Sequence, residues 1–199
     1  MPIAGTRRRV WQGAIAGVIL WGLVWGGGRA AGRSPVETET FRVQFPSPPR
    51  PIRHPLPWGD RVIEVQGYQW ESAHLALGVT YMDLPQGIDA PDPRSPGPLR
   101  SQPSEANPEP MEGMVRGWLE RLGPTGAVES WPAWGGNGQR ITGTSGAGLA
   151  VEARLVRLGD RVYVLTALAA PEGRADAETA IAIQQFFESF EPQMAPLGR

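Results

Sequence analysis

The chain has 199 residues, with 19 basic residues, every one Arg, against 20 acidic ones, two His, no Cys, 26 Gly and 21 Pro. Five of the Arg lie in the first 33 residues, where there is no acid, so the remainder carries 14 Arg against 20 acidic residues, a net charge of −6 that argues against nucleic acid as a partner. Without Cys or Lys there is no disulfide framework, thiolate or amine nucleophile, Cys-based zinc site or iron–sulfur cluster, and the length suits one domain with a leader or tail.

Met1 to Arg9 is short and basic, and Val10 to Gly28 follows as 19 residues without a formal charge. That is the pattern of an export leader over residues 1–32. Its most apolar part, Val10 to Trp25, is 16 residues long, between the core of a signal peptide and the roughly 17 to 25 residues of a spanning helix. A cleaved signal peptide and an uncleaved membrane anchor both fit. Gly28-x-Ala30 and Ala30-x-Gly32 put small side chains where a signal peptidase reads them. Thr6-Arg7-Arg8-Arg9-Val10-Trp11 resembles the twin-arginine export motif, and an ordinary basic n-region accounts for the same residues. The expected location is therefore exported: periplasmic, lumenal, or anchored to the inner membrane through the N-terminal segment if that segment is kept.

Residues 33–40 read as a linker. Phe41 to Phe45 alternates apolar and polar residues, the period-2 pattern of a strand with one buried face, and Pro46 ends it. From Pro46 to Pro57 six of twelve residues are Pro, which predicts extended, polyproline-like chain rather than helix or central strand. Arg61 to Trp70 and Leu75 to Met82 read as two strands joined at Glu71-Ser72-Ala73-His74, the second presenting Leu75, Leu77, Val79 and Tyr81 on one face.

Leu84 to Pro110 is a Pro-rich loop, with eight Pro in 27 residues and hardly any large apolar side chains. Met111 to Leu122 follows as an amphipathic helix, with Met111, Met114, Val115, Trp118, Leu119 and Leu122 on one stripe, Glu112, Arg116, Glu120 and Arg121 off it, and Gly123-Pro124 stopping it. The second half is rich in strands. Ala127 to Ser130 and Gln139 to Thr142 are short; Leu149 to Leu158 directs Leu149, Val151, Ala153 and Leu155 one way and Glu152 and Arg154 the other. Gly159-Asp160 turns it back into Arg161 to Ala169, whose two faces are both apolar. Ala175 to Phe190 is the terminal helix, with Ile183, Phe186, Phe187 and Phe190 on one stripe and Asp176 and Glu178 near its positive end; residues 192–199 form a tail. This order of elements predicts an α+β domain over residues 41–191, an antiparallel sheet carrying helices that bury its apolar face.

Several local strings resemble a known family. Phe41-Arg42-Val43-Gln44-Phe45-Pro46 with its Pro-rich continuation, Gly78-Val79-Thr80-Tyr81-Met82-Asp83-Leu84-Pro85, the central helix, Gly138-Gln139-Arg140-Ile141, Leu158 to Leu165, and Phe187-Glu188-Ser189-Phe190 resemble exported PsbP-like and DcrB-like domains. The resemblance spans roughly Phe41 to Phe190 and implies an α/β/α sandwich. Such domains occur as uncharacterised bacterial lipoproteins and secreted proteins, and as photosystem-associated proteins of thylakoid lumens. This chain departs from them in lacking a lipobox Cys, in carrying the Pro-rich 84–110 segment, and in having no Lys, the basic residue with which PsbP-like photosystem subunits dock.

No catalytic, cofactor or metal residue is expected. His54 and His74 are twenty residues apart, and no ligand spacing joins them to Asp60 or Asp83 around a metal, so they read as solvent-exposed. Ser130, Ser145 and Ser189 have no nucleophile-elbow context, and the carboxylate pairs Asp89 with Asp92 and Glu109 with Glu112 read as solvated charge. The Gly-rich strings 135–138 and 143–148 lack phosphate-loop spacing and read as turns. Trp58, Trp131 and Trp134 stand beside Pro or Gly at element ends, where an indole can cap the core or face a partner. The leading expectation is thus a non-catalytic exported domain contacting an envelope or lumenal protein through Trp58, Trp131 and Trp134. The alternative is a module holding a small ligand between sheet and helix, which requires a sizeable pocket near the hairpin formed by residues 149–169. An envelope hydrolase would need a buried carboxylate or His with a hydrogen-bonded partner.

Overall fold

The extended segments between Arg50 and Ala169 pair into one antiparallel sheet, described here from a computed structural model covering residues 33–58, 61–84, 110–131, 133–134, 137–174 and 176–193. Seven strands form it: β3 (Arg50–Trp58), β4 (Arg61–Glu71), β5 (Leu75–Asp83), β6 (Ala127–Ser130), β7 (Asn137–Thr144), β8 (Ala150–Leu158) and β9 (Arg161–Ala169), in the order β3-β4-β5-β9-β8-β7-β6. A second, three-stranded sheet has the order β1-β2-β10, built from β1 (Ser34–Glu37), β2 (Phe41–Phe45) and β10 (Glu191–Pro192). Helix α1 is Pro110–Leu122, α2 is the single turn Pro171–Arg174, and α3 is Ala177–Glu188.

Both faces of the large sheet are covered, which is why its central strands β5 and β9 are almost continuously apolar. On one face Leu75, Leu77 and Val79 of β5 and Tyr163, Leu165 and Ala167 of β9 pack against Phe41, Val43 and Phe45 of the small sheet and against Phe186, Phe187 and Phe190. On the other face Ile63, Val65, Met82, Ala153, Leu155, Val162 and Val164 pack against Met111, Met114, Trp118 and Leu122 of α1. The expected α+β class and its two-sided layering are what the chain adopts. The β8–β9 hairpin closes at Gly159-Asp160 as expected, Leu158 pairing with Arg161 and Gly159 taking a φ of +62° that suits glycine.

Several assignments differ from the sequence reading. Residues 33–40 are not merely a linker: Ser34 to Glu37 pairs with β2, although Val36 is its only large apolar side chain, because half of its backbone donors and acceptors are taken up by the neighbouring strand. Pro192 pairs with Phe41 and the Gln193 N–H donates to the Thr40 carbonyl at 2.8 Å, so the ordered chain runs past the expected start of the tail. The Pro-rich stretch 46–57 contains a true strand, yet it lies at the sheet edge, where Pro is tolerated. Pro51, Pro55 and Pro57 share one parity along β3, so all three lack their N–H at positions turned the same way relative to β4. The terminal helix begins at Ala177, two residues late, because the Asp176 carboxylate accepts the backbone N–H groups of Glu178 and Thr179 and so sets the helix start. Leu84 is buried against α1 rather than belonging to a loop; the remainder of the expected loop, 85–109, and the leader lie outside the described residues.

These hydrogen bonds hold the Asp176 carboxyl below the ordinary range, with the Thr179 hydroxyl and N–H as the leading causes. A depressed folded-state pKa means stabilisation that is present above the unfolded value of about 4 and lost as pH falls through the folded one. Asp176→Ala is expected to lower the melting temperature at pH 7, and the gap to wild type is expected to close as the pH drops toward 3. Thermal unfolding followed by circular dichroism across that range checks it; a gap independent of pH would contradict the assignment.

Candidate functional site

Four segments meet at the end of the large sheet where β4 turns into β5. The turn is organised by Ser72, whose N–H donates to the Leu75 carbonyl at 2.8 Å and whose Oγ accepts the Leu75 N–H at 3.2 Å. It is tied to the end of β9 by the Ala170 N–H, which donates to the His74 carbonyl at 2.8 Å. The loop from β7 to β8 closes on Ser145: its N–H donates to the Leu149 carbonyl at 2.9 Å, its Oγ accepts the Leu149 N–H at 3.2 Å, and Gly148 supplies a φ of +82°. The last turn of α1 is fastened by Thr125, whose Oγ1 donates to the Leu122 carbonyl at 2.8 Å and accepts the Thr144 N–H at 3.0 Å.

Between these walls lies a cavity of about 510 Å³. Leu75, Ala76, Leu149, Val151, Leu168 and Ala170 line the sheet side, and Trp118, Arg121 and Leu122 line the helix side. Its volume falls inside the ~300–1,000 Å³ of small-molecule sites, and its mainly apolar wall with a few polar groups is of the same kind. A second, smaller space of about 50 Å³ lies beside it beneath α1, sharing Ala76, Trp118 and Leu168 as lining and bounded further on by Leu56, Val65 and Met114.

The charged groups on the cavity wall differ in their commitments. Glu71 receives Arg50 at 3.0 Å and also accepts from the Gln69 side-chain amide. Arg121 is half-buried, stands 5.9 Å from the Trp118 ring, and is salt-bridged to no carboxylate among the described residues. Desolvation pulls its pKa below the ordinary arginine value, partly opposed by the charge of Glu120. His74 is exposed at the rim.

The three Trp do not converge. Trp131 and Trp134 meet edge to face at 5.1 Å, and Trp134 also meets Phe190 edge to face at 5.2 Å, with Arg154 lying 5.2 Å over Trp131 and 4.1 Å over Phe187. Trp134 is 36% exposed and holds a φ of +50°. Trp58 pairs with Arg61 at the end of edge strand β3, five strand spacings, about 24 Å, from β7, whose Gly138 carbonyl accepts the Trp131 N–H.

His54 is half-buried in β3 opposite Val65, not fully exposed, because every second residue of that strand faces the α1 side. From there to the His74 turn is about 20 Å along β4, too far to share a metal. Asp83 is held by Arg161 through two bonds of 2.6 and 2.9 Å, and Asp60 lies outside the described residues. No group of three or more His, Cys, Asp or Glu that could hold a metal occurs among the described residues. Gly138 and Gly143 lie inside β7, not in turns, while 145–148 is a turn as expected; Asp89, Asp92 and Glu109 lie outside the described residues. Ser189 caps α3, accepting the Gln44 N–H at 2.9 Å.

The hairpin over 149–169 that a ligand module would use does form a wall of the cavity. Arg121 and the turn at Ser145 were missed, the first being read as a solvent-facing charge and the second as a simple connection. The available signal was the spacing Trp118-x-x-Arg121-Leu122, which puts the guanidinium at the edge of the apolar stripe in the last helical turn. Among the described residues no helix is long and apolar enough to cross a membrane.

No protein-family model matches the chain, and no curated protein matches it. Among solved structures the chain is similar to the solution structure of cyanobacterial PsbP (CyanoP) from Synechocystis sp. PCC 6803, at 10% sequence identity, covering 86% of this chain and 98% of that one, with a TM-score of 0.45.

Proposed function

We propose that this chain is an exported, non-catalytic domain that holds a small, mainly apolar molecule between α1 and the end of the sheet. The observation that carries the reading is the cavity of about 510 Å³ walled by Leu75, Leu149, Leu168 and Trp118. An apolar molecule that enters a space of this size leaves water and gains dispersion contacts along the lining. Export rests on the basic, then uncharged, segment at the N-terminus.

Titration of the full chain with N-phenyl-1-naphthylamine, a neutral apolar fluorophore, is expected to give a saturable rise in emission. Ala76 lines both the main cavity and the smaller space beside it, so Ala76→Phe places a ring in the wall they share and is expected to weaken that binding at least tenfold with the melting temperature kept within a few degrees. The leader is common to both proteins, so a signal that survives Ala76→Phe would overturn the reading, as would no saturable signal in wild type.

A second reading, contact with an envelope or lumenal protein, is favoured by the exposure of Trp134 and of the edge strand β6. In that reading Trp134 with Trp131 forms the contact, and Trp58 forms a separate one. A photo-cross-linking residue at position 134 that captures the same single protein as one at position 128 would support it.

A further inference from the structure

Resting on the ligand-binding reading, we infer that the occupant is a single-chain amphiphile with one carboxylate, its chain directed beneath Trp118 and its head held by Arg121. Three features of the site select this class. The first is shape: the main cavity and the smaller space lined by Leu56, Val65 and Met114 share Ala76, Trp118 and Leu168, so apolar lining extends along the sheet under α1, and a flexible chain that turns Trp118 aside can follow it where a fused ring system cannot. The second is charge. Arg121 is the one Arg among the described residues of the cavity wall, has no salt-bridge partner among the described residues, and is half-buried, whereas the acid of the wall, Glu71, is already engaged by Arg50 and Gln69. The charge of Glu120 offsets only part of the desolvation of Arg121 and forms no salt bridge with it, and a ligand carboxylate supplies a direct partner in the two-pronged geometry that guanidinium matches. One such cation balances one anionic head.

The third feature is the polar rim. The Ser145 hydroxyl accepts from the Leu149 N–H, which leaves its own proton to donate to a head-group oxygen. Trp118 lies between the two parts of the space and beside the guanidinium, so it can pack on the chain with one part of its ring system while steadying Arg121 with the other.

The test is displacement of bound N-phenyl-1-naphthylamine from the full chain by sodium dodecanoate and by 1-dodecanol, which share a chain and differ in the head. In wild type, dodecanoate is expected to displace the probe at least tenfold more effectively than the alcohol. Arg121→Gln is expected to lower dodecanoate affinity at least tenfold and leave dodecanol within twofold; Ser145→Ala is expected to cost dodecanoate about threefold. Equal displacement by the two ligands in wild type would overturn the carboxylate assignment while leaving the apolar site intact, and that comparison needs no variant to fold. An Arg121→Gln protein that loses both ligands alike would overturn the head-group role by showing that the residue only supports the wall. A wild-type protein that binds neither the probe nor either ligand removes the ligand-binding reading itself.

Discussion

Phe41→Ala is expected to lower the free energy of unfolding by about 4 kcal/mol, a large share of the 5 to 15 kcal/mol that holds a domain together. Phe41 is fully buried and touches four other rings: Tyr68 at 6.3 Å, Tyr81 at 5.8 Å, Tyr163 at 6.3 Å and Phe190 at 5.8 Å. Three of these contacts are edge-to-face, the geometry in which ring quadrupoles attract. The rings come from β4, β5, β9 and the residue just beyond the cap of α3, so one side chain joins the small sheet to the large one and to the segment that leaves the terminal helix. Truncation leaves a cavity that rigid strands on one side and a capped helix on the other cannot collapse to fill. Urea unfolding at 25 °C, with an unchanged denaturant slope, measures the effect; a loss below about 1.5 kcal/mol would mean that the layers are held together elsewhere.

Gly67→Ala is expected to cost about 3 kcal/mol and to abolish probe binding as well. A Cβ at Gly67 would stand 2.0 Å from the Val79 carbonyl oxygen and 2.8 Å from the Thr80 Cα, both backbone atoms of β5. Because Val79 is fully buried, β5 cannot move aside without disturbing the core, and β4 has to lift away instead. The β4–β5 turn carries Glu71 to Ala76, one wall of the cavity, so separating these strands distorts the site together with the fold. Gly113→Ala provides the contrast: no atom lies within 4 Å of its Cβ position in α1, and the change is expected to stabilise by up to about 1 kcal/mol through helix propensity alone. Chemical unfolding of both variants with N-phenyl-1-naphthylamine titration separates the two effects, and a Gly67→Ala protein as stable as wild type would show that the strands can part locally.

What local sequence determined here is the set of elements and the face each one buries. Alternation over Phe41 to Phe45 and Leu75 to Met82, the apolar run of Arg161 to Ala169 and the stripe on Met111 to Leu122 are signals carried by neighbouring residues, and each corresponds to an element whose expected apolar residues are buried. Segments whose order comes from a partner strand were not legible in this way: Ser34–Glu37 and Glu191–Pro192 have almost no apolar pattern of their own and exist because β2 offers them hydrogen bonds. The separation of Trp58 from Trp131 was equally invisible, since it follows from strand order across the sheet. Only the tertiary structure decided that there is a cavity. Periodicity states which face of a strand turns inward but not whether the covering layer reaches its end, and α1, 13 residues long, stops at Leu122 with Trp118 and Arg121 overhanging the sheet. The space is closed by turns at 72–74 and 145–149 that are distant from α1 in the chain, so its volume is a property of how four separate segments dock rather than of any one of them.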